Sequence, residues 1–222
     1  KSKSILNKII SDFKNADSAK IQIEAIKEVD GFSREYMTYQ AMASLNYSRD
    51  INDDSAKNEK DYYDSISPDM REIYNRFDKV LHQSKFKSEI IDMFGDTFLN
   101  QIEINLKTFD TKIKGMLKEE IELKNEYTEL TAGAKIEFEG KEYNLAGLGP
   151  FHSNVNRSVR KESYEARFSW FKSNEDELDN IYDKLVNLRH KIAVTLGYKN
   201  FIELGYFRMG RSDYGPKEVA NF

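Results

Sequence analysis

Apolar positions at Leu6, Ile9, Phe13 and Ala16 recur with 3-4-3 spacing, and after a break near 17–20 a similar stripe continues at Ile26, Val29, Tyr36 and Ala43. That is the period of a helix face turned toward a core, so two antiparallel helices are expected. The polar run 49–60 offers little apolar surface to offset ordering entropy and reads as a loop or linker. Met70, Ile73, Phe77, Val80 and Leu81 form the next helical face, entered through Ser67 and Pro68, a plausible cap followed by proline at the first helical position. Further helices are expected over 88–108 and 110–131. The period then changes to two. Ala134–Phe138 alternates, turns at Glu139-Gly140 and returns as Lys141–Leu145, which is the pattern of a β-hairpin with one apolar face.

A helix is expected from about 156 to 172, and another from Asn174, which reads as an N-cap with Glu177 three residues on and Glu175 and Asp176 at the positive end of the helix dipole. Leu178, Ile181, Leu185, Leu188 and Ile192 then keep 3-4-3-4 spacing, and Arg189, His190 and Lys191 approach the C-terminal end before Gly197. This stripe is too short for a sustained coiled coil, so intramolecular packing is favoured over an oligomer seam. The fold class that follows is mainly α: a layered helical bundle or set of helical hairpins with one small β-hairpin near 134–145. Pro216 with Glu218 behind it has the form of one more helix start, so the natural protein is expected to continue past Phe222. An opening on Lys1 likewise suggests a trimmed N-terminus.

Composition narrows the function classes. The chain has 222 residues, 34 Lys+Arg against 38 Asp+Glu, no cysteine, and only three prolines and eleven glycines. Without cysteine there is no disulfide scaffold, thiolate metal site or cysteine nucleophile, and a reducing, cytoplasmic setting fits. A slightly acidic balance argues against nucleic-acid binding, which rests on clustered Lys and Arg. No apolar run of about 18 residues is present, so no membrane partner is expected.

The three histidines, His82, His152 and His190, have no partner at i, i+4 spacing, so the chain holds no H-E-x-x-H zinc helix and no local metal site can be written. Nucleophile elbows, phosphate loops and dinucleotide fingerprints are missing as well. One stretch stands apart. Residues 196–214 hold five aromatics, two arginines and an aspartate among glycines. They read either as a helix–loop–helix joint, with Tyr198, Phe201 and Leu204 packed inward and Arg208 or Arg211 paired with Asp213, or as a loop lining a cleft. Chemistry alone favours the joint.

The string L-R-H-K-I-A-x-x-L-G-Y-K-N-F-I-E-L-G-Y-F-R-M-G-R-S-D-Y over 188–214 resembles the oligoendopeptidase F family, zinc metallopeptidases akin to thimet oligopeptidase. The likeness extends to 159–166, to the hairpin at 134–141, and to Glu120, Leu123, Glu126, Tyr127 and Leu130; it covers about 57–222 well and 1–56 only in helical style. The resemblance implies the N-terminal part of a larger, mostly helical metallopeptidase. It divides the chain into an N-terminal helical region (1–113), an oligopeptidase-F-like module with the hairpin (114–183) and the start of a catalytic domain (184–222). It further implies zinc held by an H-E-x-x-H motif in the intact parent, none bound by this chain alone, and short peptides as substrates. Tyr206, Arg208, Arg211, Asp213 and Tyr214 are the implied cleft residues, and no residue of this chain is assigned to catalysis or metal. The competing reading is a non-catalytic helical module whose aromatic stripes bind a partner helix.

Overall fold

The computed structural model describes residues 2–211 and 213–222. Helices α1 (Ser2–Asn15) and α2 (Ala19–Arg49) pack on each other and on α3 (Asp54–His82). Leu6, Ile9 and Phe13 meet Ile26 and Val29 and the face of α3 carrying Ile73, Phe77 and Leu81. Phe13 and Phe77 touch edge to face at 5.2 Å. Each such buried aliphatic or aromatic side chain contributes about 1.5–3 kcal/mol of transfer free energy. Helices α4 (Lys87–Phe94) and α5 (Asp96–Lys107) close this core through Ile90, Leu99 and Ile102.

The expected loop at 49–60 is far shorter. Only 50–53 lie outside helices, and α3 starts at Asp54, capped by Asp53, whose carboxylate accepts from the amides of Ser55 (2.9 Å) and Ala56 (3.1 Å). The segment orders through polar contacts in place of apolar area. Lys60 is buried, with its ammonium donating to Asp64 (2.5 Å) and to Asn125 (2.6 Å) and facing the Tyr47 ring. Ser67-Pro68 is consequently no helix start: Pro68 is buried inside α3. The lost hydrogen bond at Pro68 costs up to about 3 kcal/mol, and packing of α3 against α1, α2 and α5 carries the helix through it. The single helix expected over 88–108 divides at Gly95, which ends α4 and opens α5 with φ 81° and ψ 164°.

A short 3-10 turn (Thr111–Ile113) leads into α6 (Lys114–Ala132), and Lys114 ties it to α3 by ion pairs to Asp69 (2.5 Å) and Glu72 (2.7 Å). The hairpin is where alternation placed it: β1 (Ile136–Phe138) and β2 (Lys141–Tyr143) pair antiparallel with Phe138 opposite Lys141. Glu139 (φ 49°) and Gly140 (φ 74°) both take positive φ, the two-residue turn whose twist suits a hairpin. Ile136 and Phe138 face inward and pack with Leu148, Phe151 and Trp170 from the one-turn α7 (Gly149–His152), its approach and α8 (Arg157–Ser173).

Helix α9 (Glu175–Thr195) buries Ile181, Leu188 and Ile192, and lies on α6. Asn174 does not cap it. Its side chain turns back to donate to the carbonyl of Trp170 (2.8 Å), satisfying the end of α8, so one residue separates two nearly continuous helices. Past Gly197 come α10 (Phe201–Arg208) and α11 (Pro216–Ala220), the latter closed by Glu218, which accepts from the Gly215 amide at 2.8 Å. A second core joins Leu117 and Leu123 of α6 to Leu188, Ile192, Ala193 and Leu204. Among the described residues no helix is long and apolar enough to cross a membrane.

Candidate functional site

Asn200 caps α10, its side-chain oxygen accepting from the Ile202 amide (2.9 Å), and Tyr198 donates its hydroxyl to the Lys107 carbonyl (2.9 Å). These bonds fix α10 against α5 and α9 with Leu204 fully buried. Tyr198, Phe201 and Leu204 thus pack inward as the joint reading expects.

Arg208 finds a partner that the sequence does not pair with it. Arg208 pairs with Glu120 on α6, donating from Nη1 to both carboxylate oxygens at 3.0 Å, and Arg189 of α9 donates from Nε to the same carboxylate at 2.8 Å. Phe201 lies beside both guanidinium groups, 5.5 Å from that of Arg208 and 5.8 Å from that of Arg189. Burial alone raises the Glu120 pKa, but the hydrogen bond from Arg189 and the charges of Arg208 and Arg189 outweigh it and hold the carboxyl below its ordinary value. One anion therefore stands between two cations, and the Nε and Nη2 of Arg208 are buried without a hydrogen-bond partner among the described residues. Such a group retains donor capacity for a carboxylate.

The sequence pattern does not pair Glu120 with Arg189. Its place in α9 suggests a helix-end charge for Arg189, whereas its side chain crosses to α6. The available signal is an acid at position 120 on the stripe Leu117, Glu120, Leu123, where an unpaired carboxylate would be costly.

Arg211 lies beside two aromatic rings, 5.0 Å from the centre of Tyr206 and 5.3 Å from that of Tyr214, and these rings meet edge to face at 6.3 Å. Tyr206 and Arg211 are half-buried, while Asp213 and Tyr214 are exposed. The structure thus brings Tyr206, Arg211 and Tyr214 into one guanidinium–aromatic cluster. Among the described residues no group of His, Cys, Asp and Glu could hold a metal ion, so this chain's side chains do not fit a zinc site. His82 faces Glu103 at 3.4 Å, His152 stacks on Tyr164 at 4.1 Å, and His190 is exposed.

The family model of the peptidase M3 N-terminal domain matches residues 1–109. A solved structure described as oligoendopeptidase F superposes with a TM-score of 0.92 at 39% identity, covering 97% of this chain and 38% of its own. The chain belongs, as an N-terminal portion, to the oligoendopeptidase F family. PZ peptidase A, solved with an inhibitor, gives a TM-score of 0.92 at 38% identity, covering 97% of this chain and 38% of its own. An oligoendopeptidase F from Bacillus anthracis str. Ames gives 0.91 at 36%, covering 97% of this chain and 40% of its own. No curated protein sequence matches. The oligoendopeptidase F likeness reaches further than the sequence motifs suggested: the first 56 residues belong to it, since the M3 model begins at residue 1.

Proposed function

We propose that this chain is the N-terminal portion of a cytoplasmic, zinc-dependent oligoendopeptidase that hydrolyses internal bonds of short peptides. The observation that carries the reading is the superposition of 97% of the chain on structures described as oligoendopeptidase F. Zinc belongs in this proposal to residues outside the 222, and the chain alone is expected to be inactive. The division at about 113 and 183 is kept as part of the proposal; the N-terminal core, whose residues run from Ile5 to Leu106, supports the first boundary.

Tyr206, Arg208, Arg211, Asp213 and Tyr214 form, in this reading, part of the wall of the substrate cleft. The guanidinium of Arg211, set against the Tyr206 and Tyr214 rings, suits a peptide carboxylate, terminal or acidic, because a guanidinium presents a planar fork of donors; Arg208, whose remaining donors are buried, braces this wall through Glu120. Substitution in the full-length enzyme tests this. Arg211→Ala is expected to lower kcat/KM for a short peptide about tenfold or more while the melting temperature barely moves, since an exposed cation–π contact is worth only about 0.5–1 kcal/mol. Arg208→Ala should lower both, because it also strips Glu120 of a partner. An Arg211→Ala enzyme with unchanged kcat/KM would refute the cleft assignment.

A further inference from the structure

Helices α2, α3 and α5 enclose a second polar feature that the peptidase reading does not use. A cavity of about 400 Å³ lies between them, lined by Tyr36, Arg71, Tyr74, Asn75, Asp78 and the end of α5 at Thr108. Asp78 is only 7% exposed and forms no ion pair with a cation among the described residues; its one hydrogen bond comes from the Asn105 amide at 3.1 Å. Arg71, seven residues earlier on the same helix, donates to the carbonyl and hydroxyl of Thr108 (3.1 and 3.3 Å), and no carboxylate among the described residues lies within ion-pair distance of it. On the same helix the Asn75 amide nitrogen is buried with no hydrogen-bond partner among the described residues, while the Tyr36 and Tyr74 hydroxyls lie against Ser67 and Ser33.

Two opposite charges are thus largely withdrawn from water, face one cavity and do not neutralise each other. Charges in such a setting are costly unless paired. A single cation would answer Asp78 but be repelled by Arg71, and a single anion would meet the reverse. A ligand carrying both charges answers both at once. The rise between the two residues is about 10 Å along the helix axis. An extended dipeptide spans about 7 Å, a length that fits along a helix face of this rise. We propose that this cavity binds a small zwitterion such as a dipeptide, its ammonium on Asp78 and its carboxylate on Arg71, with the Asn75 amide nitrogen donating to a carbonyl between them.

The proposal does not rest on the cleft reading or on peptide hydrolysis, although Arg71 also feels the charges of Arg208 and Glu120. Burial pushes the Asp78 pKa up to about 7, so the site is mostly charged, and best tested, at about pH 8. Titration calorimetry of the chain with Ala-Ala should show saturable binding at millimolar concentrations or below, and with N-acetyl-Ala-Ala-amide, which lacks both charges, none. Asp78→Asn and Arg71→Gln should each weaken Ala-Ala binding about tenfold or more, the scale of one charge-assisted contact. Helical circular dichroism establishes that each variant is folded. N-acetyl-Ala-Ala, which keeps only the carboxylate, separates the two anchors: its weak binding should depend on Arg71 and be indifferent to Asp78→Asn. Equal binding of the neutral analogue, no binding of Ala-Ala, or folded variants that bind Ala-Ala as tightly as the wild type would each overturn the proposal.

Discussion

Asp78 and Glu120 are both buried carboxyls, and their surroundings drive them in opposite directions. Asp78 has no cation beside it, so burial dominates and its pKa rises to about 7. Between the ordinary carboxylate range and that value the folded chain holds a proton that the unfolded chain has lost, so stability falls as pH rises through this window. Asp78→Asn removes the titration and still offers Asn105 an acceptor. Its melting temperature should match the wild type near pH 4 and exceed it at pH 8, by the equivalent of ~4 kcal/mol at most; equal pH profiles for the two proteins would contradict this. Glu120 behaves in the opposite sense, because its pKa is lowered. The stability it contributes is complete above the ordinary carboxylate range and is lost as pH falls through its folded value. Glu120→Gln leaves Arg189 and Arg208 facing each other and should destabilise the chain by about 3–5 kcal/mol at neutral pH, measured by urea denaturation. Asp78 does not stand out in the sequence among 38 acids, and Glu120 stands out there through family likeness and not through its partners. The partners of Glu120 lie 69 and 88 residues away, where no local pattern reaches.

Among the elements, those whose burial is apolar were legible and those ordered by polar contacts were not. Helix α9 shows its face through Ile181, Leu188 and Ile192, and the hairpin shows its own through Ile136 and Phe138. The first turns of α3 escaped notice because Lys60, Asp64 and Asn125 tie them down by hydrogen bonds in place of apolar contact. Gly95 was visible as a glycine, but its role depends on a conformation the sequence does not show. With φ 81° and ψ 164° it occupies a region open essentially to glycine alone, and a Cβ there would meet nothing within 4 Å. The cost of Gly95→Ala is therefore backbone strain alone, expected at about 1–3 kcal/mol. Calorimetric melting of the variant checks it, and an unchanged melting temperature would mean that α4 and α5 can merge into one helix.

At the scale of the whole molecule, the chain assembles three apolar clusters rather than one, which fits its modest apolar share of 39%. Thin helical layers of this kind suit a wall bordering a channel better than a compact core. If the parent enzyme encloses its site behind such walls, a folded substrate must first give up about 5–15 kcal/mol of its own stability, a cost that a short peptide does not bear. A ladder of peptides from about five to about forty residues, given to the full-length enzyme with zinc beside a folded protein, should show cleavage confined to the shorter members. Comparable cleavage of the folded protein would refute the narrow channel.

The second cluster also imposes an order of events during synthesis. The N-terminal core is complete once α5 has emerged, since all its members precede residue 107. Helix α6 is different: Leu117 and Leu123 find their partners on α9 and α10, beyond the hairpin and α8. At roughly 5–20 residues per second, the ribosome needs about 3–13 s to pass from the end of α6 at Ala132 to the end of α9 at Thr195. Throughout that interval the apolar stripe of α6 is a nascent surface without its mate, and the seconds spent waiting for α9 are when this chain most needs a chaperone's cover.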